Sequence, residues 1–279
     1  MKIRIITSVG IAVIGIPILI FSQYIIFQIA LSALCCVAVY EALGALGKRG
    51  DLFLSIPAYL ISLAAPLGAY FVNNDWRISY ILLLCLALFV YMMWTFGVAV
   101  FRLGELKFGD AAASFALLTY ITVAFTSLAL LRNMGDGVVG ALCLGLVFVA
   151  AWMTDVFAYF TGYFFGKHKL IPKVSPKKTV EGSIGGIVFA TLGFILYGFI
   201  VDLVTAYEVN YLTLALSGLV LSVVAQIGDL TASLVKREHG IKDYGVIFPG
   251  HGGVLDRFDS VLAVAAPLMI ISIAFPPFA

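Results

Sequence analysis

Residues 137–166 read GVVGALCLGLVFVAAWMTDVFAYFTGYFFG, an apolar run whose one charge is Asp155. As a helix rising 1.5 Å per residue it would be about 45 Å long, against about 30 Å for the hydrocarbon core of a bilayer. It is too long for a perpendicular span and is expected to tilt or to protrude from the membrane. Apolar runs of roughly twenty residues recur on both sides of it, each long enough to cross a bilayer. In lipid the backbone must satisfy its own hydrogen bonds, so these runs are expected to be helices. The short alternating segments of a membrane β-barrel are absent.

The whole chain agrees with that reading. It is 62% hydrophobic and 11% charged, where a soluble domain is about half apolar and a quarter charged. The sequence predicts an all-α, polytopic membrane protein with about nine spans: 4–22, 24–46, 53–73, 79–101, 111–131, 137–166, 183–204, 209–230 and 258–276. Lys2 and Arg4 precede the first run, which is read as a span rather than a cleaved signal. Cys35, Cys36, Cys85 and Cys143 all sit in apolar runs without CxxC spacing, so they suggest neither zinc nor a disulfide framework.

Charge sets the orientation. With a cytoplasmic N-terminus and alternating spans, fifteen of the seventeen Lys and Arg residues fall inside. Only Arg77 and Arg132 fall outside, a strong positive-inside bias. A soft boundary near 132–136 separates an N-terminal helical region, 1–135, from a chemically dense region, 136–279. The dense region has two cytoplasmic loops, 167–182 and 231–257.

Four acids lie in apolar surroundings: Glu41, Asp155, Asp202 and Asp229. An ionisable group inside a span needs a partner or water and is a functional candidate. Asp155, Tyr159, Gly162 and Gly166 share one helix face, and the glycines would let a neighbouring helix or ligand approach. Glu41 reads as an interfacial acid paired with Lys48 and Arg49. Asp202 reads as solvated. Asp229 and Asp256 are on adjacent helix ends at one membrane face. They could frame Mg²⁺, which favours one or two carboxylates plus water and phosphate oxygens. Alternatively, each pairs with a nearby Lys or Arg.

The first loop, GKHKLIPKVSPKKTVEGSIGG at 166–186, holds five lysines and one acid, Glu181. Pro172 and Pro176 prevent one continuous helix. Ser175, Lys177, Lys178 and Thr179 suit a polyphosphate, although a basic loop also anchors anionic lipid headgroups. In the second loop, Gly240 is the expected stop of the preceding helix. Lys242, Asp243 and PGHGG follow, and the glycines permit close approach to a ligand. The next helix start could face phosphate. Asp256 and Asp259 near that start also suit the helix dipole. His251 could bind phosphate, transfer a proton, or hold the turn. No HExxH, P-loop or dinucleotide fingerprint is present.

Ser233, Lys236, Arg237, Lys242, Asp243, Gly245, Pro249, His251, Gly252, Gly253, Asp256, Arg257 and Asp259 together resemble the pattern of phosphatidate cytidylyltransferases, or CDP-diacylglycerol synthases. Asp229 fits the same pattern. So does the earlier stretch of Trp152, Asp155, Gly166, Lys167, Ser175, Pro176, Lys178, Thr179, Glu181 and Gly182. The close resemblance covers about 152–260.

It implies transfer of a cytidylyl group from CTP to phosphatidate with Mg²⁺, and a second cation is open. The implied metal ligands are Asp229 and Asp256. Lys236, Arg237, Lys242, Arg257 and His251 complete the implied catalytic set. Asp155, Lys167, Ser175, Lys177, Lys178, Thr179, Glu181, Ser233, Asp243, Gly252, Gly253 and Asp259 are the implied substrate contacts. Membrane lipid is an expected partner, a homodimer is compatible with the family, and nucleic acid is not expected. A cell membrane, the bacterial inner membrane, is expected, and the charge bias turns the site toward the cytoplasm.

Two rivals remain. One is a CTP-dependent lipid kinase. The other, from a different class, is a cation-coupled transporter with Asp155 and Asp229 as ion sites.

Overall fold

The computed structural model describes residues 2–279, without the side chains of residues 2–6, 8 and 11. It is a polytopic all-α protein. Nine helical rods run through the described residues: α1 Lys2–Ile20, α2 Ile25–Ala45, α3 Leu52–Gly68, α4 Arg77–Phe101, α5 Phe108–Arg132, α6 Val138–Phe165, α7 Val180–Val204, α8 Tyr211–Glu238 and α9 Leu255–Ala274. The last eight are long and apolar enough to cross a membrane. The expected first span coincides with α1, while its flanking Lys2 and Arg4 side chains lie outside the described residues. Pro57, Pro66 and Pro267 sit inside helices, which is tolerated where neighbouring groups take up the freed carbonyls.

By packing, the chain divides into two compact units. One is Met1–Met134 with Glu238–Arg257, and the other is Gly135–Arg237 with Phe258–Ala279. In the first, α5 packs against α2, α3 and α4. Its buried Ile121, Phe125, Leu128 and Leu131 form the centre of that unit. Gly240, at φ +65°, follows the end of α8 as expected of a helix stop.

In the second unit, α6 lies along α7 over a seam of small residues. A Cβ on Gly182 would stand 2.6 Å from the Ala158 carbonyl and 3.1 Å from Gly162 Cα. Gly185 and Gly186 bring α7 equally close to Thr161, Thr154 and Ala158. Val149–Met153 forms a π-turn immediately before Thr154 and Asp155, a widening that tends to occur at functional positions. Gly218 seats α8 on Thr191 and Phe194 of α7, and Gly228 seats it on Ala263 of α9.

The first loop is a β-hairpin, with β1 Lys169–Ile171 antiparallel to β2 Ser175–Thr179. Pro172 lies in its turn and Pro176 in β2, so the prolines exclude helix as expected, and an edge strand accepts them.

Candidate active site

The hairpin brings the lysines of the first loop over the acids of the second unit. A cavity of about 550 Å³ is lined by Asp155, Tyr159, Gly162, Tyr163 and Gly166 from α6 and its end. Lys169, Lys177, Lys178 and Thr179 of the hairpin, and Gly182, Ser183, Gln226 and Asp229, also line it. The expected shared face of Asp155, Tyr159, Gly162 and Gly166 is therefore one wall of this cavity. Lys178 is ion-paired with Asp229. Such pairing with a nearby cation is the alternative reading of Asp229.

Asp155 is held by α9, where Ser260 Oγ donates to its Oδ2 at 3.0 Å. Asp155, Asp229 and Asp259 are within electrostatic reach of one another, with Lys178 and Lys236 partly offsetting their repulsion. Thr179 is buried, and its hydroxyl caps α7 by accepting from Gly182 N at 3.1 Å. Glu181 fastens the start of the hairpin. It accepts from the Lys167 amide at 3.1 Å, from the His168 amide, and meets His168 Nδ1 at 2.6 Å.

In the first unit the glycine-rich loop is bound by two carboxylates. Asp256 Oδ2 accepts from Tyr244 N at 2.7 Å and Gly253 N at 3.0 Å. Glu41, only 1% exposed, takes the next two amides: Oε1 from Val254 N and Oε2 from Leu255 N, both at 3.0 Å. The Glu41 expectation needs correction. Lys48 pairs with Asp110 at 2.7 Å, and Arg49 lies over the Tyr40 ring at 3.8 Å. The Glu41 carboxylate instead satisfies amides at the start of α9, which have no carbonyl partner within their own helix.

Within the loop, Phe248 N donates to Gly252 O at 2.9 Å and His251 N to Phe248 O at 2.8 Å. Gly252 takes φ +84°, a conformation other residues rarely adopt. The loop encloses a cavity of about 540 Å³, lined by Lys242, Asp243, Gly245, His251, Gly252 and Arg257 among others. Cations, an imidazole and backbone around such a space suit an anionic ligand.

The remaining expected residues lie apart from these linings. Ser175 begins β2, Ser233 is half-buried on α8, and Lys236 and Arg237 occupy the last turn of α8. There the two cations also complement the helix dipole. Asp202 is exposed and accepts from Tyr211 OH at 3.0 Å.

Asp229 and Asp256 belong to different units, and each is engaged within its own. Among the described residues, no group of three or more His, Cys, Asp or Glu forms a ready-made metal cage. The carboxylate donors are nevertheless chemically suited to Mg²⁺, which needs only one or two of them beside water and phosphate. Sequence reasoning overlooked Ser260, Gln226, Lys169 and Tyr163. Their positions follow from packing and carry no motif of their own.

A family model described as the cytidylyltransferase family matches residues 2–275, so the chain belongs to that family of nucleotidyltransferases. The chain is 33% identical over 280 residues to a phosphatidate cytidylyltransferase of Staphylococcus haemolyticus, covering 98% of this chain and 99% of the relative. It is 34% identical over 279 residues to one from Staphylococcus epidermidis, with the same coverage. One from Brucella suis is 43% identical over 158 residues, 57% of this chain and 56% of the relative.

Proposed function

We propose that this chain is a phosphatidate cytidylyltransferase, converting CTP and phosphatidate to CDP-diacylglycerol and pyrophosphate. The observation that carries the reading is full-length kinship with enzymes of that name, joined to two polar cavities in an otherwise apolar protein. A phosphate oxygen of phosphatidate attacks the α-phosphorus of CTP. The new P–O bond forms as the bond to the bridging oxygen breaks, and that electron pair leaves with pyrophosphate.

Both reactants are anions, so repulsion must be offset before they meet. Lys177, Lys178, Lys236, Arg237, Lys242 and Arg257 supply the cations, which also stabilise charge spreading over the phosphate oxygens. Phosphatidate is already ionised near neutral pH, so the reaction needs no strong general base. Mg²⁺ is the proposed cofactor, with Asp229 and Asp256 assigned to it on the sequence pattern. When bound it would polarise the α-phosphate and neutralise the leaving group. The acyl chains remain in lipid while the headgroup reaches the interface. The positive-inside bias supports a cytoplasmic face for this chemistry, with the N-terminus on the same side.

The test incubates the purified protein with phosphatidate, labelled CTP and Mg²⁺. Labelled CDP-diacylglycerol and pyrophosphate, both lost on chelation, are the expected products. A phosphorylated lipid without a cytidylyl group would instead establish a kinase. A folded protein with no nucleotide turnover would overturn the reading.

A further inference from the structure

We propose that Glu41, in the chemically bland N-terminal helices, is a positioning residue for the glycine-rich loop, holding its turn and the first turn of α9 in the geometry catalysis needs. The catalytic part of this proposal rests on the function proposed above. The contact itself does not.

Three successive amides, Gly253, Val254 and Leu255, end on carboxylates: the first on Asp256, the next two on Glu41. Asp256 stands only three residues from Gly253 in the chain, so its bond is local. Glu41 comes from α2, 213 residues away from Val254 in the chain, and is anchored by the packing of α2 against α3 and α5. It is therefore the fixed end of the clamp.

The fit is close on two sides. A Cβ built on Gly253 would lie 2.3 Å from Glu41 Oε1, and one built on Gly245 would lie 2.2 Å from the same oxygen. These two glycines admit a carboxylate of the protein itself, whereas Gly252 meets Asp256. The groups that depend on the clamp are His251 and Arg257, on either side of the bound amides, and both line the loop cavity. A displacement of about 1 Å at such groups can cost roughly a hundredfold in rate.

Glu41→Gln tests this without changing side-chain size. An amide offers one acceptor and one donor, so one of the two backbone N–H groups loses its partner. Hydrogen exchange on the full chain in lipid, without substrate, should accelerate at least about tenfold at whichever of Val254 and Leu255 loses its acceptor, the loss expected for a hydrogen bond to a charged group. Exchange in α2 and α5 should stay unchanged. Turnover should show kcat lowered at least about tenfold, with KM for CTP within about threefold.

Gly253→Ala provides a second test. Its methyl should speed loop exchange in the wild-type background but add little once Glu41→Ala has removed the carboxylate. Unchanged exchange at Val254 and Leu255 in Glu41→Gln would overturn the proposal. So would faster exchange spread through α2 and α5, or an effect of Gly253→Ala independent of Glu41. Failure of the wild-type chain to make CDP-diacylglycerol would sink the functional reading alone, because exchange still judges the clamp.

Discussion

Lys178 of β2 is ion-paired with Asp229 of α8, and both half-buried side chains line one cavity. Lys178 sits on Asp229 Oδ2, so a cation that takes that oxygen would displace it. Lys178 would then be released toward phosphate oxygens. Lys178→Met should lower kcat/KM about a hundredfold by removing a cation aimed at developing charge. It should also lower the Mg²⁺ concentration for half-maximal rate, because the competing ammonium is gone. Rates measured across a Mg²⁺ titration check both effects. A half-saturation point raised by the substitution would contradict the exchange of partners.

The α6–α7 seam leads to a stability prediction. Gly182→Ala directs its methyl at the Ala158 carbonyl and Gly162 Cα, which are backbone atoms and cannot rotate away. The helices must separate, at a cost of about 1–3 kcal/mol. Gly97→Ala on α4 meets nothing within 4 Å and should be neutral, or stabilising by up to about 1 kcal/mol. Thermal unfolding of the two variants in one detergent checks the contrast, with only Gly182→Ala lowering Tm.

The spans were legible because lipid imposes long apolar runs. The reading 24–46 became Ile25–Ala45, and 183–204 became Val180–Val204. Gly240 marked the end of α8 by its freedom at positive φ. The hairpin was not legible, since Pro172 and Pro176 exclude helix without selecting its replacement. The π-turn beside Asp155 leaves no mark in an apolar run. Glu41 drew notice as an acid in lipid, but its partners are backbone amides of Val254 and Leu255. Backbone donors have no residue type by which to find them, so nearby Lys48 and Arg49 looked like better partners.

Asp136 ties the start of α6 to a later connection. Its Oδ1 accepts from Val138 N at 3.0 Å and Val139 N at 3.1 Å, while its Oδ2 accepts from Tyr207 OH. The Tyr207 bond and the amides hold the Asp136 carboxyl below the usual carboxylate range. A depressed folded pKa gives stability that is fully present above the unfolded value, about 3.9, and lost as pH falls through the folded one. Asp136→Ala should therefore lower Tm at neutral pH. The gap from wild type should close only in acid below about pH 4. A gap that widens on acidification would refute the assignment.

His251 and Asp256 occupy one loop but differ in what removal leaves behind. Asp256 Oδ2 binds the Tyr244 and Gly253 amides, so Asp256→Ala frees two donors at once and also deletes a proposed Mg²⁺ ligand. The turn at His251 is held by its backbone, through His251 N and Phe248 O, which an alanine retains. His251→Ala should thus keep this backbone turn while losing what the imidazole offers the anionic ligand. Its turnover should fall about tenfold to a hundredfold, whereas Asp256→Ala and Asp229→Ala should reach background. Steady-state rates with equal amounts of lipid-inserted protein compare them directly. If His251→Ala binds CTP normally yet is as inactive as Asp256→Ala, proton transfer at the imidazole belongs in the reaction, and phosphatidate alone is not a sufficient nucleophile. Wild-type-like rates in either aspartate variant would remove that residue from the proposed metal site.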